Sequence, residues 1–190
     1  MIPSLTFKYA PALNELLLEG LTEILGETRF ENLIASLPVE QAPFGLENLE
    51  DALVAAYGRQ SATGILVRAG RAAFSRILTQ FSAELGFEDL DFRLLAPRRK
   101  MYTALTKLAE WLSRQRAGEF EVQVEQACWQ WRQRTGFEVQ GGPKADWVCP
   151  FLLGMLQELT YWVSSGRIHL IHEKPNPNGC LVEIEQKPLD

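Results

Sequence analysis

Between Pro11 and Gly26, Leu13, Leu16, Leu17, Leu21, Ile24 and Leu25 recur at intervals of three and four residues. That is the spacing of one helix face, and Gly26 is a natural stop. A short second helix is predicted over Thr28–Leu37, ended by Pro38. After a Pro43-Phe44-Gly45 turn, Leu46, Leu49, Leu53 and Val54 mark a third, closing near Tyr57-Gly58. The longest pattern runs from Ser61 to Leu85 through Ile65, Leu66, Ala69, Ala72, Ala73, Ile77, Leu78 and Phe81. Gly64 and Gly70 lie inside it, each costing about 1 kcal/mol relative to alanine in a helix, which suggests close approach by a neighbouring element. A further helix is predicted from Arg98 to Gln115, with Met101, Leu105, Leu108, Ala109 and Leu112 on one side.

The period changes at Gly118. Phe120, Val122 and Val124 alternate with Glu121, Gln123 and Glu125, the period of a strand with one dry and one wet face. The alternation loosens through Cys128, Trp129 and Trp131, and Gly141-Gly142-Pro143 reads as a turn. Asp146 is placed to cap a following helix, and Pro150 suits its first turn. That helix, Pro150 to Val163, is apolar on most sides and is expected to be the central buried one. Ile168–Glu173 and Cys180–Glu185 then read as strands joined by Pro175-Asn176-Pro177-Asn178-Gly179. The pattern predicts one α+β domain over residues 1–190, a helical layer packed on a small antiparallel sheet. The helical half covers about 1–117; a strand, the buried helix and a C-terminal hairpin cover about 118–190.

Composition narrows the function classes. The chain has 190 residues, 46% hydrophobic and 23% charged, as in globular domains. Its net charge of -5 argues against nucleic acid as a partner, because phosphate recognition needs a clustered positive surface. The run Pro97-Arg98-Arg99-Lys100 is too short to change this and reads as a solvated helix end. No apolar run reaches the length of a membrane span, and Met1-Ile2-Pro3-Ser4-Leu5 lacks the basic start of a secretory signal. Three cysteines, an odd number, speak against a secreted disulfide framework, so a cytoplasmic location is expected.

Two groups of residues could carry chemistry. Cys149 sits at the predicted start of the buried helix, where partial positive charge favours a thiolate. Glu173 and Cys180 could face each other across the C-terminal hairpin, so three zinc-competent ligands could converge, with His172 as a fourth. The alternative is that both cysteines are ordinary buried thiols and Glu173 faces water. His169 and His172 point to opposite faces of a strand and cannot both serve one site. Phosphate loops, dinucleotide fingerprints, GxSxG and HExxH are all missing from the sequence, so it offers no catalytic residues and an enzyme reading has little local support. The second group is aromatic. Trp129 and Trp131 lie two apart, hence on one strand face, and Phe74, Phe81, Trp111, Phe151, Met155 and Trp162 are on helices that pack nearby. Such residues are either core, or the wall of an enclosed apolar pocket built from Trp129, Trp131, Phe74, Phe151 and Met155.

The run VCPFLLGMLQELTYWVSSGRIHLIHEKPNPNGCLVEIEQKP, Val148 to Pro188, resembles the 4-vinyl-reductase domain family. The shared features are a Cys-aromatic-x-x-Gly helix, a Gly/Arg turn, a strand ending in glutamate and a Gly-Cys pair opening the last strand. YGRQSATGILVRAGRAAF, Tyr57 to Phe74, is similar to the Gly/Arg-rich helix of stand-alone members. The resemblance implies the fold of TRAPP transport subunits and haem–nitric-oxide-binding domains, a tendency to form homodimers, and enclosure of hydrophobic small molecules. It also implies a zinc site in which Cys149 and Glu173 match the first two ligands. The third position is Asn176 here, a departure, and Cys180 matches the last only across a shortened loop. Haem is disfavoured, since the family's Tyr-x-Ser-x-Arg motif is missing and neither histidine lies in a predicted helix. The leading expectation is a stand-alone homodimeric module that sequesters or senses a hydrophobic or aromatic molecule. The alternatives are a role in tetrapyrrole vinyl reduction, for which no hydride or electron source is evident, and an assembly subunit like the TRAPP components.

Overall fold

The longest apolar periodicity becomes the helix around which the chain is arranged, α4 (Arg59–Gln80). The computed structural model describes residues 9–37, 46–135, 148–176 and 180–189. Before α4 come α1 (Pro11–Leu25), α2 (Glu27–Ala35) and α3 (Leu46–Tyr57); after it come α5 (Leu90–Arg93) and α6 (Pro97–Arg114). The rest is β1 (Glu119–Val124), β2 (Cys128–Thr135), α7 (Val148–Val163), β3 (His169–Lys174) and β4 (Leu181–Pro188). This is an α+β fold in which helices cover one face of a four-stranded antiparallel sheet of order β1-β2-β4-β3.

Helix α4 packs against α1 on one side and α7 on the other, and small residues set both distances. A Cβ at Gly20 would lie 2.7 Å from the Ala69 carbonyl oxygen. A Cβ at Gly70 would collide with the Phe151 carbonyl, and one at Gly154 with the Val67 carbonyl. Backbone therefore meets backbone where α4 crosses α7, an approach that only glycine permits. The expected close approach at Gly70 is present. At Gly64 a Cβ would meet nothing within 4 Å.

Helix α7 is the buried one. Phe151, Leu152, Met155, Leu156 and Leu159 are buried, since the helix has α4 on one side and the sheet and α6 on others. Trp129 and Trp131 share the inner sheet face, opposite Ile184 and Val182 in the β2–β4 register. The outer face is polar. Gln130 Nε2 donates to Glu183 Oε1 (3.2 Å), and Lys174 Nζ lies 3.0 Å from Glu183 Oε2. The hydrogen bond from Lys174 holds the Glu183 carboxyl below its ordinary value, so this pair persists above the usual carboxylate range and is lost on acidification.

Three boundaries differ from the sequence pattern. Helix α4 stops at Gln80 rather than Leu85, because Phe81 leaves helical geometry at φ -127°. Leu85 is nonetheless buried, in a turn closed by Phe87 N–H donating to the Ser82 carbonyl (2.8 Å). Strand β2 is regular through Cys128–Trp131, where the alternation seemed to loosen: Gln130 faces outward between the two tryptophans and Arg132 does so after them. The short α5 had no periodic signal at all. The Pro43-Phe44-Gly45 and Gly141-Gly142-Pro143 turns, the Asp146 cap and Pro177–Gly179 lie outside the described residues.

The α4–α7 crossing yields a paired test. Gly70→Ala or Gly154→Ala should destabilise the fold by about 1–3 kcal/mol through overpacking. Gly64→Ala, with open space at its Cβ, should instead stabilise it by about 0.5–1 kcal/mol. Chemical denaturation of the three variants checks both signs.

Candidate functional site

Cys149 begins the buried helix and Cys180 immediately precedes β4, and the fold brings them together. Their Cα atoms are 5.3 Å apart and their sulfurs form a disulfide across 31 positions of sequence. Gln133, buried on β2, fixes the β4 side: its N–H donates to the Cys180 carbonyl (2.8 Å), and its Oε1 accepts from the Cys180 N–H (3.3 Å). Glu173 pairs with Val182 across the hairpin rather than with Cys180, a register that puts it on the same sheet face as Cys180. Its residue is exposed. His172 belongs to the opposite face, where its Nε2 lies 3.3 Å from Glu185 Oε1.

This arrangement corrects the reading of both cysteines as thiols, whether buried or metal-bound. Joined sulfurs carry no thiolate, so neither cysteine serves as a zinc ligand while the disulfide is intact. The described residues contain no group of three or more His, Cys, Asp or Glu side chains that could hold a metal ion. The pair acts as a staple between α7 and the sheet. The remaining cysteine, Cys128, is free and half-buried on the outer face. Desolvation, and then the nearby Glu183 and Glu125 carboxylates, push its thiol above the ordinary value.

The aromatic residues divide. Trp131, Phe74, Phe151 and Met155 are buried in the core; Trp131 rests against Phe120, ring centroids 5.5 Å apart. Trp129 differs. It is 2% exposed, yet it forms part of the wall of a cleft of about 710 Å³ at one end of the sheet. The floor beside it is apolar: Leu95, Met101 and Val163. The rim comes from three element ends. One is the start of α6, with Pro97, Arg98 and Lys100; the second is the turn after α7, with Ser164, Ser165 and Arg167. The third is the β3–β4 end, with His169, Gln186, Lys187 and Pro188.

Local geometry shapes each rim. Helix α7 ends with Ser165 at φ 59° and a bond from the Gly166 N–H to the Tyr161 carbonyl (2.8 Å), a left-handed stop that reverses the chain. Ser164 Oγ donates to the Arg167 carbonyl (2.8 Å), tightening that turn. His169 Nδ1 lies 2.7 Å from the Glu185 carbonyl oxygen, and its ring sits 6.1 Å from that of Trp129. Gln186 Nε2 donates to the Glu125 and Cys128 carbonyls, both at 3.1 Å. Alongside the cleft, Phe87, Phe92 and Trp162 form an aromatic cluster with centroids 5.1–6.2 Å apart, and Lys100 Nζ stands 5.3 Å over the Phe92 ring.

Sequence reasoning identified Trp129 but not the other cleft residues. They come from segments distant in sequence, and no motif links them. The basic run at Pro97–Lys100 was the one usable signal, and it reads as a solvated helix end until the partner segments are in place.

Comparison with known proteins bears on the fold. No protein-family model matches the chain, and no curated protein matches it. Among solved structures, an Fe(II) unliganded H-NOX protein mutant from K. algicida superposes with a TM-score of 0.61, covering 94% of this chain and 96% of that one. The sequence identity is 13%, so the likeness is one of fold. It agrees with the fold that the resemblance implied. No helix among the described residues is long and apolar enough to cross a membrane.

The thiol assignment is directly measurable. Unfolded, unreduced protein should titrate with one free thiol and reduced protein with three; three thiols without reduction would refute the staple. Reduction should lower stability by about 2–4 kcal/mol, measured by denaturant titration. In the folded protein, Cys128 should alkylate slowly at neutral pH, with a rate still rising above the ordinary thiol range.

Proposed function

We propose that this chain is a binding module for a small apolar or aromatic molecule, and that the cleft beside Trp129 is where the molecule sits. The observation that carries the reading is the cleft itself. Its volume of about 710 Å³ falls within the range of about 300–1,000 Å³ for small-molecule sites. Its apolar floor is ringed by polar groups, as such sites are built. Trp129 supplies a flat wall whose far side is packed in the core, so the wall holds its shape without an occupant. The fold shared with an H-NOX protein supports a sensing role over a catalytic one. In this reading the ligand sits at the edge of the helix–sheet interface, against Trp129.

Pairing of two copies belongs to the same proposal. Leu90 and Leu94, at the ends of α5, are 67% and 74% exposed and give an apolar surface that a second copy could cover.

The neutral fluorophore phenylnaphthylamine tests the site. It should bind saturably, one per chain, with enhanced emission. Leu95→Trp, which fills the floor from a half-buried position, should weaken that binding by at least about tenfold while leaving the unfolding midpoint nearly unchanged. Absence of saturable uptake, or equal uptake by Leu95→Trp, would overturn the proposal.

A further inference from the structure

The charge of the cleft is at odds with the charge of the protein. The chain carries 24 acidic and 19 basic residues, yet Arg98, Lys100, Arg167 and Lys187 all line the cleft and, among the described residues, no Asp or Glu does. Arg98 and Arg167 enter no ion pair among the described residues. Like charges gathered around one opening repel each other, a cost that an anion bound between them would remove.

Two independent features point to the same ligand chemistry. The first is the start of α6. Its N-cap is Ala96, which offers no side-chain acceptor, and Pro97 follows as the first helical residue. The amide N–H groups of the first turn are thus left without a capping side chain at the cleft rim, where the helix dipole favours negative charge. The second is the lining beside it: Leu95, Met101 and Val163 carry no polar side-chain group, which suits an apolar body.

We infer that the cleft selects an amphipathic organic anion: an apolar hydrocarbon or aromatic body on the floor, with one carboxylate, sulfonate or phosphate head at the rim. Arg98 reaches the head from α6 and Arg167 from the turn after α7. Guanidinium groups suit this task because their planar forks bind oxyanions in two-point fashion. Lys100, held over the Phe92 ring, adds positive charge at the same rim. A neutral molecule of the same shape would use the floor and leave the rim unsatisfied. This inference rests on the cleft being the binding site and adds the ligand's charge.

Anilinonaphthalenesulfonate and phenylnaphthylamine share an aromatic body and differ in the anionic head, so together they separate the two claims. The sulfonate should bind at least about tenfold more tightly than the neutral probe, an advantage that shrinks as salt is raised. The double variant Arg98→Gln/Arg167→Gln should lose that advantage while binding the neutral probe as the unsubstituted chain does. Both residues are exposed, so folding should be retained, and the unfolding midpoint checks it. Arg59→Gln/Arg68→Gln, exposed positions on α4 that do not line the cleft, should leave both affinities unchanged. Equal affinity for the two probes, or equal loss of sulfonate binding in both double variants, would overturn the anion inference and leave the cleft as an apolar site. Binding of neither probe would overturn the site itself.

Discussion

Where α4 crosses α7 there are no side chains between them. Gly70 faces the Phe151 carbonyl and Gly154 faces the Val67 carbonyl, so the separation of the two helices is set by main chain alone. Helices ordinarily pack through interlocking side chains, which leaves latitude for repacking. Contact at backbone level leaves very little. Because α1 meets α4 in the same manner at Gly20 and Ala69, three helices form one rigid stack. The sheet is then positioned relative to that stack by α7, which is joined covalently at Cys149 to Cys180, the residue that precedes β4.

Much of this architecture can be read along the chain. The helices of the first two-thirds announce themselves by three- and four-residue spacing, and the glycine inside the longest one signals a close neighbour. The two tryptophans, two apart, were bound to share a sheet face once β2 formed. What could not be read is lateral placement. The order β1-β2-β4-β3 brings Cys180 beside Gln133 and within bonding distance of Cys149, and spacing alone is equally compatible with a thiol pair, a metal clamp or a disulfide. Periodicity tells which side chains turn inward; whether they meet a packed neighbour or an opening depends on segments far away in sequence.

That distinction governs the site. Trp129 and Trp131 have the same residue type, the same strand and nearly the same burial. Trp131 packs against Phe120 farther along β2, whereas Trp129 sits where β2 begins, beside the starts and ends of other elements. Element ends are poor at filling space and rich in unpaired backbone groups, which is why a cleft with both an apolar floor and a polar rim arises there. Arg98, read in isolation, is a helix-end cation; its environment, not its identity, makes it part of a site.

Helix α7 is clamped unevenly. A covalent bond fastens its first turn to β4 and main-chain contact pins its waist to α4, but its last turn is retained by side chains alone: Val163 in the core and Trp162 against Phe87 and Phe92. A rod gripped at one end and at mid-length has its compliance concentrated at the other tip. In this molecule that tip, with the serines and Arg167 beyond it, is one wall of the cleft, so any mechanical give falls where it alters the width of the opening.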